Sequence, residues 1–207
     1  MNDFLLYEVE TRFAFNSQEE AVIALPFLIY SLKDEVIWET RIYGIDLFKT
    51  DKLLRTSDVQ CNNKVKHFLS FKEPDVGRFC NIRLEIDEEI TSGLENSKIL
   101  KMIGIENILI TPKNIDAILE ASGKIQIMSF AGRNLVGKDE EHGLSLKLMA
   151  CSSLRFPLIL EIEKTSKTIE EAIECEKYIC NFVKEYKLYD KVVREEPPTL
   201  LFENLVI

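Results

Sequence analysis

Alternation of apolar and charged side chains dominates this chain. From Phe4 to Phe15 the two kinds alternate, with Glu8, Glu10 and Arg12 on one side of the run. A period of two marks a strand, because successive side chains of an extended chain point to opposite faces. The same pattern returns at Val36–Ile45, where Glu39, Arg41 and Tyr43 share a face. Shorter runs lie at Leu53–Val59 and Lys124–Phe130. Lys66–Lys72 is expected to pair with Asn81–Ile90 through the turn residues Pro74, Asp75 and Gly77, and Leu144–Met149 to pair with Phe156–Lys164.

Helical periodicity interrupts the strands. One helix opens at Asn16 or Ser17, carries Glu19 and Glu20 in its first turn, and runs toward Lys33 with a kink or break at Pro26. A second is expected over Ser92–Gly104, followed by a short one from Pro112 to Ala121. The third starts near Lys167 or Thr168 and continues to about Tyr186 on an apolar stripe that includes Ala172, Ile179, Phe182 and Val183. Glu195-Glu196-Pro197-Pro198 reads as a stop, followed by a short apolar end from Thr199 to Ile207.

The polar strand faces are unusual. Arg83, Glu85 and Asp87 share one, and Glu161 and Glu163 another, while Ile82, Leu84, Ile86 and Leu144, Leu146, Leu148 form apolar faces. One reading is a solvated sheet face with cross-strand ion pairs. The two E-x-E pairs, set in otherwise apolar strands, favour another. Carboxylates two residues apart on one face repel each other unless a cation joins them, and Mg²⁺ or Mn²⁺ is the natural oxygen-bound cation. Closing about eight strands with the helices outside puts these charges inside, in a lumen wide enough for one small ligand. The expected fold is α+β: a closed antiparallel β-barrel, or tunnel, of about eight strands with flanking helices.

Composition sets the bounds. With 207 residues, 46% of them hydrophobic, the chain suits one domain, or at most two small ones; the expectation is one tunnel domain over 1–207. A formal net charge of -9 argues against broad contact with nucleic acid and leaves room for a small-anion site in a pocket. Early Asp3, Glu8 and Glu10 argue against a signal peptide, and no apolar run reaches the length of a membrane helix, so a soluble cytoplasmic protein is expected. Cys61, Cys80, Cys151, Cys175 and Cys180 match no zinc or redox spacing and read as free thiols. His67 and His142 have no partner at metal-ligand spacing, and Trp38 reads as core.

Taken in order, these segments resemble the CYTH superfamily, also called triphosphate tunnel metalloenzymes. Glu8-Val9-Glu10-Thr11-Arg12 is similar to its E-x-E-x-K strand, with Arg for Lys. Arg41-Ile42-Tyr43-Gly44-Ile45-Asp46 and Leu54-Arg55-Thr56-Ser57 resemble the next segments, with Ser57 in place of a second arginine. Ser70-Phe71-Lys72-Glu73-Pro74 is similar to Y-K-G-P, Arg83-Leu84-Glu85-Ile86-Asp87 to R-x-E-x-E, and Leu160-Glu161-Ile162-Glu163 to the E-I-E strand. Two departures stand out. The strand before E-I-E reads Ser145-Leu146-Lys147-Leu148 and lacks the frequent aspartate. The K-x-R strand is matched only by Lys124-Ile125-Gln126 and Arg133.

The resemblance implies metal-dependent hydrolysis of a triphosphate, whether tripolyphosphate, a nucleoside triphosphate or thiamine triphosphate. Glu8, Glu10 and Arg12 would be catalytic. Arg41, Arg55, Lys72, Arg83, Lys124 and Arg133, with Lys147, would clamp phosphate oxygens. Glu8, Glu10, Glu85, Asp87, Glu161 and Glu163 would hold Mg²⁺ or Mn²⁺. Arg12 orients rather than accepts a proton, because its pKa exceeds about 12. A class IV adenylyl cyclase shares the clamp and uses the ribose 3′-hydroxyl in place of water. A weakly catalytic nucleotide or polyphosphate sensor and an RNA 5′-triphosphatase are further alternatives. The partner is a triphosphate-bearing small molecule, and family members are often homodimers.

Overall fold

The computed structural model describes residues 5–205. Nine strands run through them: β1 Leu6–Phe15, β2 Leu32–Tyr43, β3 Leu53–Cys61, β4 Lys64–Lys72, β5 Asn81–Glu89, β6 Gln126–Asp139, β7 Leu144–Ala150, β8 Leu158–Ser166 and β9 Val192–Val193. The first eight fall where alternation predicts them; the Phe4 start of the first run lies outside the described residues. Hydrogen bonding follows the order β5-β4-β3-β2-β6-β7-β8-β1-β9, with a further β5–β1 pairing. The ladder of β1–β8 therefore closes on itself as an antiparallel barrel, with β9 an added strand on β1.

Seven α-helices among the described residues complete this α+β fold: α1 Gln18–Ala24, α2 Leu28–Ser31, α3 Ile45–Phe48, α4 Lys98–Met102, α5 Ile115–Ala121, α6 Ile169–Glu185 and α7 Pro197–Leu205. The two helices with the clearest sequence starts use the same cap. Ser17 Oγ accepts from Glu20 N–H while the Glu20 carboxylate accepts from Asn16 N–H; Thr168 Oγ1 accepts from Glu171 N–H while Glu171 accepts from Lys167 N–H. Such reciprocal bonds satisfy amides that the first helical turn leaves open.

The first helix breaks into α1 and α2 at Pro26, where a kink or break is expected. Other expectations are corrected: β2 begins at Leu32 rather than Val36. The helix expected over Ser92–Gly104 shrinks to Lys98–Met102. Gly93 and Asn96 take positive φ, and Leu94 bridges Ile110, so the chain before Ser97 is a turn. β6 extends to Asp139 rather than ending near Phe130, so Arg133 sits within it. The apolar end after Glu196 is helical, beginning on Pro197, where a proline's missing N–H costs a helix nothing.

The chain divides into two compact units, and β2, β5 and β6 contribute residues to both. Unit 1 comprises residues 1–36, 75–84 and 132–207. Its core joins Val9, Phe13 and Phe15 of β1, Leu146 and Leu148 of β7, Leu160 and Ile162 of β8 and the apolar stripe of α6. From α6 the buried Glu176 points at the turn before β5, where its Oε1 accepts the N–H groups of Arg78, Phe79 and Cys80 at 2.8, 2.7 and 2.9 Å. Unit 2 comprises residues 37–74 and 85–131. Its core gathers Tyr43, Leu54, Leu69, Phe71 and Ile86 with Ile99, Leu100, Ile115 and Leu119 from α4 and α5. Trp38 is core, packed edge-to-face on Phe130. All five cysteines are free.

Candidate functional site

Strand register builds the densest charge cluster, in unit 1. β8 lies between β1 and β7, and Glu161 stands opposite Arg12 on one side and Lys147 on the other. Both cations reach it: Arg12 Nε donates at 2.9 Å, and Lys147 Nζ pairs with the other carboxylate oxygen. Arg12 also donates to Glu10 and, at 2.8 Å, to Asn81 Oδ1. Glu10 itself lies opposite Glu163. Like charges facing across strands destabilise a sheet, and the guanidinium reaching back to Glu10 offsets that repulsion.

A third carboxylate enters from the segment between β9 and α7. Glu196 Oε1 lies 2.7 Å from Arg83 Nε and 3.9 Å from Arg12. Pairing of Val192 and Val193 with Phe13 and Arg12 carries the chain there, and Arg194 fixes it to Asp75 at 2.9 Å. Asp75 in turn accepts from Asn81 Nδ2, so the group that orients Arg12 is itself held. Arg12, Glu10, Glu161, Glu196 and Arg83 are all buried; the Lys147 side chain is 35% exposed. Burial opposes charge on Arg12, yet Glu10, Glu161, Glu196 and Glu8 together raise its pKa above the ordinary arginine value. Lys147 behaves alike: burial lowers its pKa, and Glu161, Glu10 and Glu8 more than restore it. Both therefore stay protonated at neutral pH.

Beside this cluster lies a cavity of about 400 Å³, lined by Lys147, Glu161, Glu163, Lys138, Ser145 and Asp34. Its floor includes Gly137, where a Cβ would fall 1.7 Å from the Ser31 carbonyl oxygen, so only glycine lets β6 pass that close.

In unit 2, Arg55 and Lys72 converge on Glu85 at 2.7 and 3.1 Å, and Lys72 is buried. A separate group centres on Asp58, which accepts from Arg41 at 3.1 Å and meets His67 Nδ1 at 2.6 Å beside a small cavity of about 120 Å³. There Tyr43 is buried and donates to Asp116 at 2.7 Å.

The residues singled out in the sequence thus have distinct places. Glu10, Arg12, Arg83 and Glu161 come together in unit 1, with Glu8 and Glu163 half-buried on the same strands. Arg55, Lys72 and Glu85 come together in unit 2. Lys124 pairs with Asp46 at 2.6 Å, Arg133 is exposed and reaches Glu35 at 3.6 Å, and Asp87 is exposed. Among the described residues no three carboxylate, imidazole or thiol groups stand so as to hold a metal ion. In unit 1 the oxygens of Glu10 and Glu161, two of those expected to bind one, are directed at Arg12 and Lys147, an arrangement of these two that does not fit a divalent cage. Sequence reasoning missed Glu196 and Asn81, and also the carboxylate partners of the two histidines (Asp58, and Asp139 beside His142). Glu196 lies in a Glu-Glu-Pro-Pro stretch whose only periodicity-based reading was a stop.

No family model and no curated protein sequence matches the chain. Solved structures do. The PH1819 protein of Pyrococcus horikoshii aligns over 95% of this chain and 99% of its own, at 21% identity and a TM-score of 0.71. A candidate adenylate cyclase from Vibrio parahaemolyticus aligns over 95% and 98%, at 13% identity and a TM-score of 0.62. A candidate adenylyl cyclase from Hippeastrum, described as having a dominant triphosphatase activity, aligns over 97% and 96%, at 17% identity and a TM-score of 0.61. At these identities the likeness is one of fold, and it is the fold that the ordered motifs imply. Among the described residues no helix is long and apolar enough to cross a membrane.

Proposed function

We propose that this chain binds the phosphate chain of a small triphosphate in unit 1 and hydrolyses a terminal phosphoanhydride. One observation carries the reading: Lys147 extends from a buried ion pair into a cavity of about 400 Å³ that also presents Lys138. A phosphate entering there meets a fixed ammonium group whose charge is locked on, backed by Arg12 and Arg83 deeper in the barrel. Cations held in place beforehand stabilise anionic oxygens without reorganising during reaction. The triphosphatase activity named for the Hippeastrum relative supports the reaction class. Arg12 orients and neutralises; it cannot serve as the base, because its neighbours hold its proton. The positive charge facing the phosphate comes from the chain's own Lys147, Arg12 and Arg83.

Cyclisation of a nucleoside triphosphate is the second reading, supported by the same fold in the Vibrio protein. It needs the same clamp and differs in the nucleophile. The test is incubation with tripolyphosphate, ATP and thiamine triphosphate, each with and without Mn²⁺, followed by ³¹P NMR. Orthophosphate release supports hydrolysis; cyclic AMP with pyrophosphate supports cyclisation. Binding without turnover makes the chain a sensor, and failure to bind any of the three sinks the reading.

A further inference from the structure

We infer that this chain supplies its own counter-cations: Arg12 of β1 and Lys147 of β7 take up the two oxygens of Glu161 on β8, and Lys147 thereby keeps unit 1 from holding a divalent ion of its own. The inference concerns the same barrel interior as the proposed function. It is tested without any phosphate ligand, so either can fail alone.

Register is the first argument. Glu161 occupies the central strand of three and has a cation directly opposite on each side, Arg12 on β1 and Lys147 on β7. Its two oxygens are divided between them, Oε2 to Arg12 and Oε1 to Lys147. Glu10, the buried carboxylate of β1, is joined to Arg12. A divalent ion of the Mg²⁺ or Mn²⁺ kind needs several oxygens at short range and surrenders its water reluctantly. Here it would have to detach each carboxylate from a nitrogen that already satisfies it. It would then stand beside two like charges in a site from which water is largely excluded, where such repulsion is weakly screened.

Arg12 and Lys147 are the two cations that stand directly opposite Glu161. Of the two, Lys147 decides access, because its side chain lines the cavity while Arg12 is almost completely enclosed. Glu161 lines the same cavity, but its side chain is 4% exposed against 35% for Lys147, so the ammonium group is the more accessible of the pair.

The measurement is Mn²⁺ titration of the phosphate-free protein, read from the EPR signal of the free aqua ion. Wild-type protein is expected to take up no Mn²⁺ below millimolar concentration. Lys147→Asp exchanges the cation for a third carboxylate and is expected to bind Mn²⁺ at least about tenfold more tightly, the scale of removing one like charge beside a partly buried site. Lys147→Met removes the charge and keeps most of the stem, and is expected to gain binding in the same direction; it is the variant measured if Lys147→Asp does not give native circular dichroism. Wild-type uptake in the sub-millimolar range that Glu10→Gln abolishes would overturn the inference. So would folded Lys147 variants that gain no affinity. Tripolyphosphate binding, measured separately, judges the proposed function and leaves this conclusion untouched.

Discussion

Removing the Glu176 carboxylate should loosen the turn that leads into β5. Three backbone N–H groups converge on one of its oxygens at 2.8, 2.7 and 2.9 Å. Arg78 is exposed, so its amide finds water when the carboxylate is gone. Phe79 is half-buried and Cys80 is buried, so their amides do not readily exchange partners. Leaving a buried donor unsatisfied costs about 1–3 kcal/mol, which for two donors gives about 2–6 kcal/mol for Glu176→Ala. In a chain of this size each kcal/mol lowers Tm by roughly 2–4 °C, so a loss near the middle of that range lowers Tm by roughly 8–16 °C. Glu176→Gln keeps an acceptor and loses only the charge, and should fall about halfway between. Urea unfolding followed by circular dichroism gives both values. The same turn leads to Asn81, which accepts from Arg12, so the alanine variant should also weaken tripolyphosphate binding. A loss below about 1 kcal/mol for alanine, or equal losses for alanine and glutamine, would refute the reasoning: the first denies the burial argument, the second the part played by charge-independent acceptance.

Two other outcomes follow from the ion pairs. Arg12→Met should leave Glu10 and Glu161 buried without their shared guanidinium and destabilise the protein by about 3–5 kcal/mol in denaturant melts; a change under about 1 kcal/mol would mean that Lys147 alone suffices. The bond from Lys191, with that from the Asn16 amide, holds the Glu20 carboxyl below its ordinary pKa. A depressed carboxyl stabilises the fold above its unfolded pKa, and the gain is lost as pH falls through the folded value. Lys191→Ala should therefore move the Glu20 NMR titration upward toward the ordinary range and flatten the acid limb of the stability curve; an unmoved midpoint would assign the shift to the Asn16 amide instead.

Much of this architecture was legible because a period of two survives wherever one strand face is buried. All eight barrel strands were located, and α1 and α6 were visible from Ser17 and Thr168 with their trailing glutamates. α4 was overestimated because an apolar run such as Ile99–Ile105 looks the same in a helix or a turn; Gly93 and Asn96 decide the matter through backbone dihedrals. The site was half legible. Alternation puts Glu10 and Arg12 on one face, yet it says nothing of which cation each carboxylate chooses. Lys147 could be named as basic, but its pairing with Glu161 depends on the register of β7 against β8. Glu196 left no trace, since an acid outside any periodic segment carries no sign of its destination. Asp58 and His67 lie on adjacent strands as a directly opposed pair, a relation that appears only once β3 and β4 are registered.

Arg12 and Glu161 are separated by 149 residues of chain. Contacts of such separation form late, because the intervening loop must close before they can contribute. During synthesis at roughly 5–20 residues per second, β1 leaves the ribosome about 7–30 s before β8, one of the strands it pairs with. Throughout that interval the guanidinium of Arg12 and the apolar side chains of Val9 and Phe13 lie on an unclosed strand edge. An unpaired edge is a template for pairing with another chain. The charged residues of β1 then have a second consequence, apart from any chemistry in the finished barrel: Glu8, Glu10 and Arg12 interrupt a largely apolar strand, and charges on an open edge oppose its pairing with another chain.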